Sequence, residues 1–198
     1  MENEMKNYHD YLYTKQLNLN LVDIRKSVEI LYGIIMQNFG HLEGAHRDKH
    51  LQTTSRYNYY NCFMYPTPGI YELYKEVQTL YRDVEKNKEP AFIQCWLNVF
   101  WKGDFIDWHG HSNPGLGIWH GLYCVNTEDS HTSYRIRDLG LEFDVPSQDN
   151  LLVLGKSEGD EHRSSEWQKE SPRITIAFDI VPARNISPFN EVNHWVPI

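Results

Sequence analysis

Residues 92–101 read FIQCWLNVFW and open a series of short apolar or alternating runs whose spacing decides the fold. The series continues as DFIDWHGH (104–111), GIWHGLYCV (117–125), TSYRIR (132–137), LEFDV (141–145), NLLVLG (150–155) and PRITIAFDIVP (172–182), with Gly, Pro, Asn and Asp between the runs. Seven strand-like runs joined by short turns, with no long helical pattern among them, predict a sandwich or barrel. Upstream the texture differs. Within residues 1–45, Val22, Ile24, Val28, Leu31 and Ile35 recur at helical spacing. The Pro66–Gly69 breaker precedes a second helix from Ile70 to about Lys86, striped by Tyr71, Tyr74, Val77, Leu80, Tyr81 and Val84. The polar stretch from Gly44 to Asn58 reads as an exposed loop. The expected fold is mainly β with N-terminal helices: a helical region over 1–90 packed on a jelly-roll core over 91–198, one compact domain overall.

The chain has 198 residues, enough for a full hydrophobic core without staples. At 40% hydrophobic and 14% aromatic residues it is a folding sequence, which excludes an intrinsically disordered one. A formal net charge of −8 argues against a nucleic-acid backbone or an anionic membrane as main partner. Cys62, Cys95 and Cys124 form no pairing pattern and read as buried, reduced thiols. The acidic N-terminus has no apolar run, unlike a secretory signal, and no stretch approaches the ~20 apolar residues of a spanning helix. These features predict a soluble cytoplasmic protein without nucleic-acid or membrane partners, and leave its oligomeric state open.

Ten histidines are present, and three of them, His109, His111 and His120, fall within twelve residues. In a strand, residues i and i+2 point the same way with Cα atoms roughly 7 Å apart, so His109 and His111 can converge on one ion. His162, in the turn-rich segment GKSEGDEHRSSE, is the candidate third ligand. Imidazoles suit iron, zinc, copper or nickel. His41, His46, His50 and His131 sit in polar surroundings and read as surface residues, whereas His120 reads as a core or pocket residue. In residues 173–180, RITIAFDI, a pleated strand sends Ile174, Ile176, Phe178 and Ile180 to one face and Arg173, Thr175, Ala177 and Asp179 to the other. The second face suits either solvent or the wall of a polar pocket.

Taken in order, WLNVFWKGDFIDWHGH, HGLYCV and EHRSSEWQKESPRITIAFDI resemble the Fe(II)/2-oxoglutarate-dependent oxygenase superfamily, most closely a small branch found in bacteria and phages. The resemblance covers Trp96 to Ile180. It implies a double-stranded β-helix, cupin-like in form, with Fe(II) as metal and 2-oxoglutarate as co-substrate, oxidising a small molecule or an amino-acid side chain. It places His109 and His162 as ligands and Arg173 on the 5-carboxylate of 2-oxoglutarate with Thr175 beside it. Asn98 and Tyr123 become pocket residues. One departure stands out: the residue two past the first histidine is His111, where the superfamily usually has Asp or Glu. A three-histidine site of His109, His111 and His162 is the favoured reading; Asp107 as the carboxylate, or a register built on His111-Ser112-Asn113, are the other two. A three-histidine cupin dioxygenase without 2-oxoglutarate and a non-enzymatic jelly-roll module are the rival functions. The cupin has no need of Arg173 and Thr175.

Overall fold

The computed structural model describes residues 5–8, 10–44, 50–86, 88–111, 115–186 and 194–198. His46, Ser112 and Asn113 lie outside these. Among the described residues are β1 (Met5–Tyr8), β2 (Leu12–Gln16), α1 (Leu21–Phe39), α2 (Ile70–Val84), β3 (Ala91–Phe100), β4 (Trp119–Asn126), β5 (His131–Ile136), β6 (Leu141–Pro146), β7 (Leu151–Lys156), β8 (Asp160–Ser164), β9 (Arg173–Pro182) and β10 (Val196–Pro197). They form a large sheet of order β1-β2-β7-β4-β9-β3-β10 and a small sheet of order β6-β5-β8, with antiparallel pairing throughout. The small sheet is widened by residues 106–109: Ser164 donates its amide to the Ile106 carbonyl (3.0 Å), and His109 and His162 exchange both backbone hydrogen bonds (3.0 and 2.9 Å). From β3 to β9 the chain therefore shuttles between two facing sheets, which is the double-stranded β-helix.

Pleating divides the large sheet into two chemistries. On β9, Ile176, Phe178 and Ile180 are at most 1% exposed and join the apolar core, whereas Arg173, Thr175, Ala177 and Asp179 face the space between the sheets. β3 repeats the division: Ile93, Cys95, Leu97 and Val99 enter the core, and Trp96, Asn98 and Phe100 face inward. The register fixes the inward pairs, Asn98 opposite Thr175 and Phe100 opposite Arg173. On β4, Gly121 is required by close packing, since a Cβ there would lie 2.3 Å from the Val153 carbonyl oxygen and 2.5 Å from the Phe178 ring.

Helices cover the apolar face. Asn20 caps α1 by accepting from the Val22 amide (3.0 Å), and Ile24, Val28, Leu31 and Ile35 form its buried stripe. α2 starts after Gly69, whose φ of 79° belongs to the left-handed region, and buries Leu73, Val77, Leu80 and Tyr81. Two elements differ from the sequence expectation. β1 and β2 pair antiparallel and extend the large sheet beyond β7, where the sequence suggested helix. The second part of the stretch expected as an exposed loop turns inward: Leu51, Thr53, Thr54 and Ser55 are all buried, and residues 54–59 form a 3₁₀ helix. Hydrogen bonds from within the molecule tie it to its neighbours. Arg56 donates to the carbonyls of Phe39 and Gly40 at the C-terminus of α1 and to those of Leu42 and Gln52, and Gln94 donates to Tyr57 O (2.8 Å).

Candidate metal centre and anion pocket

Between the sheets lies a cavity of about 180 Å³, far more than the ~10–15 Å³ that one water needs. Its walls carry both groups of candidate residues. His109 and His111 enter from the segment that pairs with β8, and His162 from β8 itself. Trp108 anchors that segment, its ring held between the guanidinium groups of Arg135 (4.4 Å) and Arg163 (4.7 Å). The ring centres of His109, His111 and His162 are 4.3, 5.0 and 5.4 Å apart. Three imidazoles on one ion at metal–nitrogen distances of ~2.0–2.1 Å have ring centres about 5 Å apart, so the spacing fits. One nitrogen from each lies within 4.8 Å of the other two.

The surroundings prepare these rings. His109 Nδ1 pairs with the Asp107 carbonyl at 2.8 Å, which aims Nε2 at the cluster. Burial and the neighbouring His109, His120 and His111 hold His162 well below the usual histidine range, keeping it in the neutral, ligating form. For His111 burial also acts downward, but Asp179 at 2.6 Å from Nδ1, aided by Asp160, more than offsets it and the balance is upward. The Asp179 contact is short without hydrogen-bond geometry, and His111 Nε2 is buried with no partner. A carboxylate thus sits beside the three candidate histidines.

At the other end of the cavity Arg173 is 2% exposed. Its Nε donates to Ser130 Oγ (3.2 Å), its Nη2 has no hydrogen-bond partner, and no carboxylate pairs with it among the described residues. Burial alone pulls the guanidinium below its usual range. Beside it runs a polar chain: Thr54 Oγ1 donates to Asn98 Oδ1 (2.7 Å), and Asn98 Nδ2 donates to Thr175 Oγ1 (3.2 Å). Having accepted there, the Thr175 hydroxyl keeps its own hydrogen to donate elsewhere.

The structure thus gathers His109, His111, His162, Arg173, Thr175 and Asn98 around one cavity. Tyr123 is not among them. On β4 the inward positions are His120 and Leu122, so Tyr123 points the other way, into the helical layer, where its hydroxyl donates to Asn150 Oδ1 (2.5 Å). Asp107 is exposed and its carboxylate accepts from the Trp108 amide, outside the histidine cluster. Residues that the sequence did not single out also line the cavity: Thr54 and Tyr57 from the 3₁₀ helix, and Asp179. Asp179 shares the inward parity of Arg173, a signal available in the strand pattern. His120 is buried and faces the same space, while His41 and His50 are exposed.

No protein-family model and no curated protein matches this sequence. Solved structures do match its fold. The α-ketoglutarate-dependent carbocyclase SnoK of nogalamycin biosynthesis aligns over 89% of this chain and 81% of its own, with TM-score 0.61 and 10% identity. A viral collagen prolyl hydroxylase from Paramecium bursaria Chlorella virus-1 aligns over 87% and 97% (TM-score 0.58, 7% identity). HygX from Streptomyces hygroscopicus, solved with nickel and 2-oxoglutarate, aligns over 87% and 82% (TM-score 0.55, 11% identity). This chain has the 2-oxoglutarate/Fe(II) oxygenase fold. Two bacterial members of that fold, a Pseudomonas putida prolyl-4-hydroxylase and a Burkholderia pseudomallei oxidoreductase, are matched over only 65% and 58% of their own lengths.

Proposed function

We propose that the chain is an Fe(II)- and 2-oxoglutarate-dependent oxygenase, hydroxylating a small molecule or an amino-acid side chain. The observation that carries this reading is Arg173. A guanidinium buried without a counter-ion is costly, and a planar fork with a free Nη2 suits a carboxylate supplied by a ligand. His109, His111 and His162 would hold the iron, and Arg173 with the Thr175 hydroxyl would hold the distal carboxylate of 2-oxoglutarate. When bound, the pair supplies oxidising power: O₂ gives one oxygen atom to a substrate C–H bond and one to succinate, with loss of CO₂.

The remaining work belongs to the chain. Asn98 and Thr54 fix the orientation of the Thr175 hydroxyl before any ligand arrives. Phe100 lies under the Arg173 guanidinium at 5.8 Å and keeps water from it. Trp96 and Tyr57, rings 5.4 Å apart, form an aromatic wall on which a substrate can pack. Asp179 places a carboxylate next to His111, supporting a cation that the three neutral nitrogens leave uncompensated.

Anaerobic titration of the protein with Fe(II) and then 2-oxoglutarate tests the assignment, because the iron-to-ketoacid charge-transfer absorption reports both ligands together. The band is expected; a folded protein that binds Fe(II) and shows no band refutes the 2-oxoglutarate reading. The all-histidine ligand set favours one second reading, a cupin-type dioxygenase, for which turnover would survive complete removal of 2-oxoglutarate.

A further inference from the structure

The proposed donor set leaves a second group in the same cavity unused. His120 on β4 and Asp160 on β8 are 3% and 6% exposed, and their Nε2 and Oδ2 atoms meet at 2.7 Å. Asp160 and His162 alternate on β8 and both point inward, opposite Ile136 and Tyr134 of β5. The rings of His120 and His162 are nearly parallel, 4.7 Å apart, and His120 stands at the same distance from His111. A nitrogen of His120, an oxygen of Asp160 and a nitrogen of His162 all lie within 4.8 Å of one another.

Two atoms of this group are orphans. Asp160 Oδ1 and His162 Nδ1 are buried and neither has a hydrogen-bond partner. Native proteins rarely leave such atoms empty-handed, and each unpaired one costs roughly 1–3 kcal/mol. An ionised carboxylate is an acceptor on every lone pair, so what completes it must be a donor or a cation. The combination of two imidazoles and one carboxylate is the donor set that first-row divalent metals take.

We propose that His120, Asp160 and His162 form a second position for a first-row divalent cation, beside the His109–His111–His162 position and sharing His162 with it. A neutral imidazole gives one lone pair to one ion, so the two positions are alternatives for a single cation. They differ in charge: the first is all nitrogen, the second carries a carboxylate. The chain thereby keeps a carboxylate within reach of the metal although none follows His109. This concerns cation binding alone and stands whether or not the chain takes 2-oxoglutarate.

The test is Co(II) titration under anaerobic conditions, read by the ligand-field absorption of the ion and by metal retained after desalting. In the His109→Ala/His111→Ala variant, one Co(II) per chain should remain. Adding Asp160→Asn, which preserves shape and one acceptor oxygen, should then weaken Co(II) by about tenfold or more. A folded double variant that binds no Co(II), or an affinity indifferent to Asp160→Asn, overturns the proposal and leaves water as the bridging species. Should the double variant fail to fold, His109→Ala alone is titrated with and without Asp160→Asn, and an unchanged affinity is again decisive against it. Absence of the ketoacid band in the wild-type protein would strike the oxygenase reading and leave this result untouched.

Discussion

Replacing Arg173 with Met keeps most of the side chain's volume and removes its charge, and the structure sets opposite signs for stability and binding. In the ligand-free protein Arg173 Nη2 is buried without a partner, while Nε makes one bond to Ser130 at 3.2 Å. Relieving an unpaired buried polar group is worth about 1–3 kcal/mol, against about 1 kcal/mol for the lost bond. The net is a gain of about 1 kcal/mol, or roughly 2–4 °C in Tm for a chain of this size. For 2-oxoglutarate, losing the buried partner of a carboxylate costs about 2–5 kcal/mol, roughly thirty- to several-thousand-fold in affinity. Thermal unfolding of the metal-free protein and the anaerobic Fe(II)/2-oxoglutarate titration measure the two effects. Arg173→Lys should recover only part of the affinity, because a point charge lacks the fork. Unchanged 2-oxoglutarate affinity, or a metal-free Tm that falls by several degrees, would refute the reasoning by making Arg173 a structural residue.

Thr175→Val should weaken 2-oxoglutarate by about 1 kcal/mol, the worth of one neutral hydrogen bond, in the same titration. His111→Asp should retain Fe(II), whereas His162→Ala, which removes the ligand common to both positions, should lose it with little change in Tm; metal analysis after desalting checks both. Because Asp179 pushes His111 upward, its proton competes with metal to a higher pH than an ordinary histidine's of about 6.5. Metal affinity should therefore climb with pH until that raised value is passed, and Asp179→Asn should move the climb to lower pH while lowering the plateau. Gly121→Ala drives a methyl into the Val153 carbonyl and the Phe178 ring, and should destabilise by about 1–3 kcal/mol in urea unfolding.

Where the interior is apolar on one side and polar on the other, the sequence was readable. The alternation in β9 separated Ile176 and Phe178 from Arg173 and Thr175, and the facing sheet turned that polar face into a cavity wall. The same rule hid β8. Its inward residues are Asp160, His162 and Ser164, so DEHRS carries no apolar signal and reads as a turn. Tyr123 was misplaced by one residue of parity, since an aromatic neighbour of His120 looks equally suited to either face of β4. The interior 3₁₀ helix was invisible for another reason: it is tied down by bonds to β3, Thr54 to Asn98 and the Tyr57 carbonyl to Gln94, long-range pairing that leaves no local pattern. The pairing of His120 with Asp160 spans forty residues and is likewise a product of the fold.

Arg56 links that 3₁₀ helix to the rest of the molecule. One side chain gathers four carbonyls, two of them from Phe39 and Gly40 at the C-terminal end of α1, and Thr54 and Tyr57 of the same 3₁₀ helix line the cavity. The entropy of ordering this wall is spent as the chain folds, so a ligand arriving later meets a surface already set and need not organise it. By the same link, fraying of the last turn of α1 and loosening of the cavity wall are one event, and amide hydrogen exchange in the two segments should proceed at a common rate.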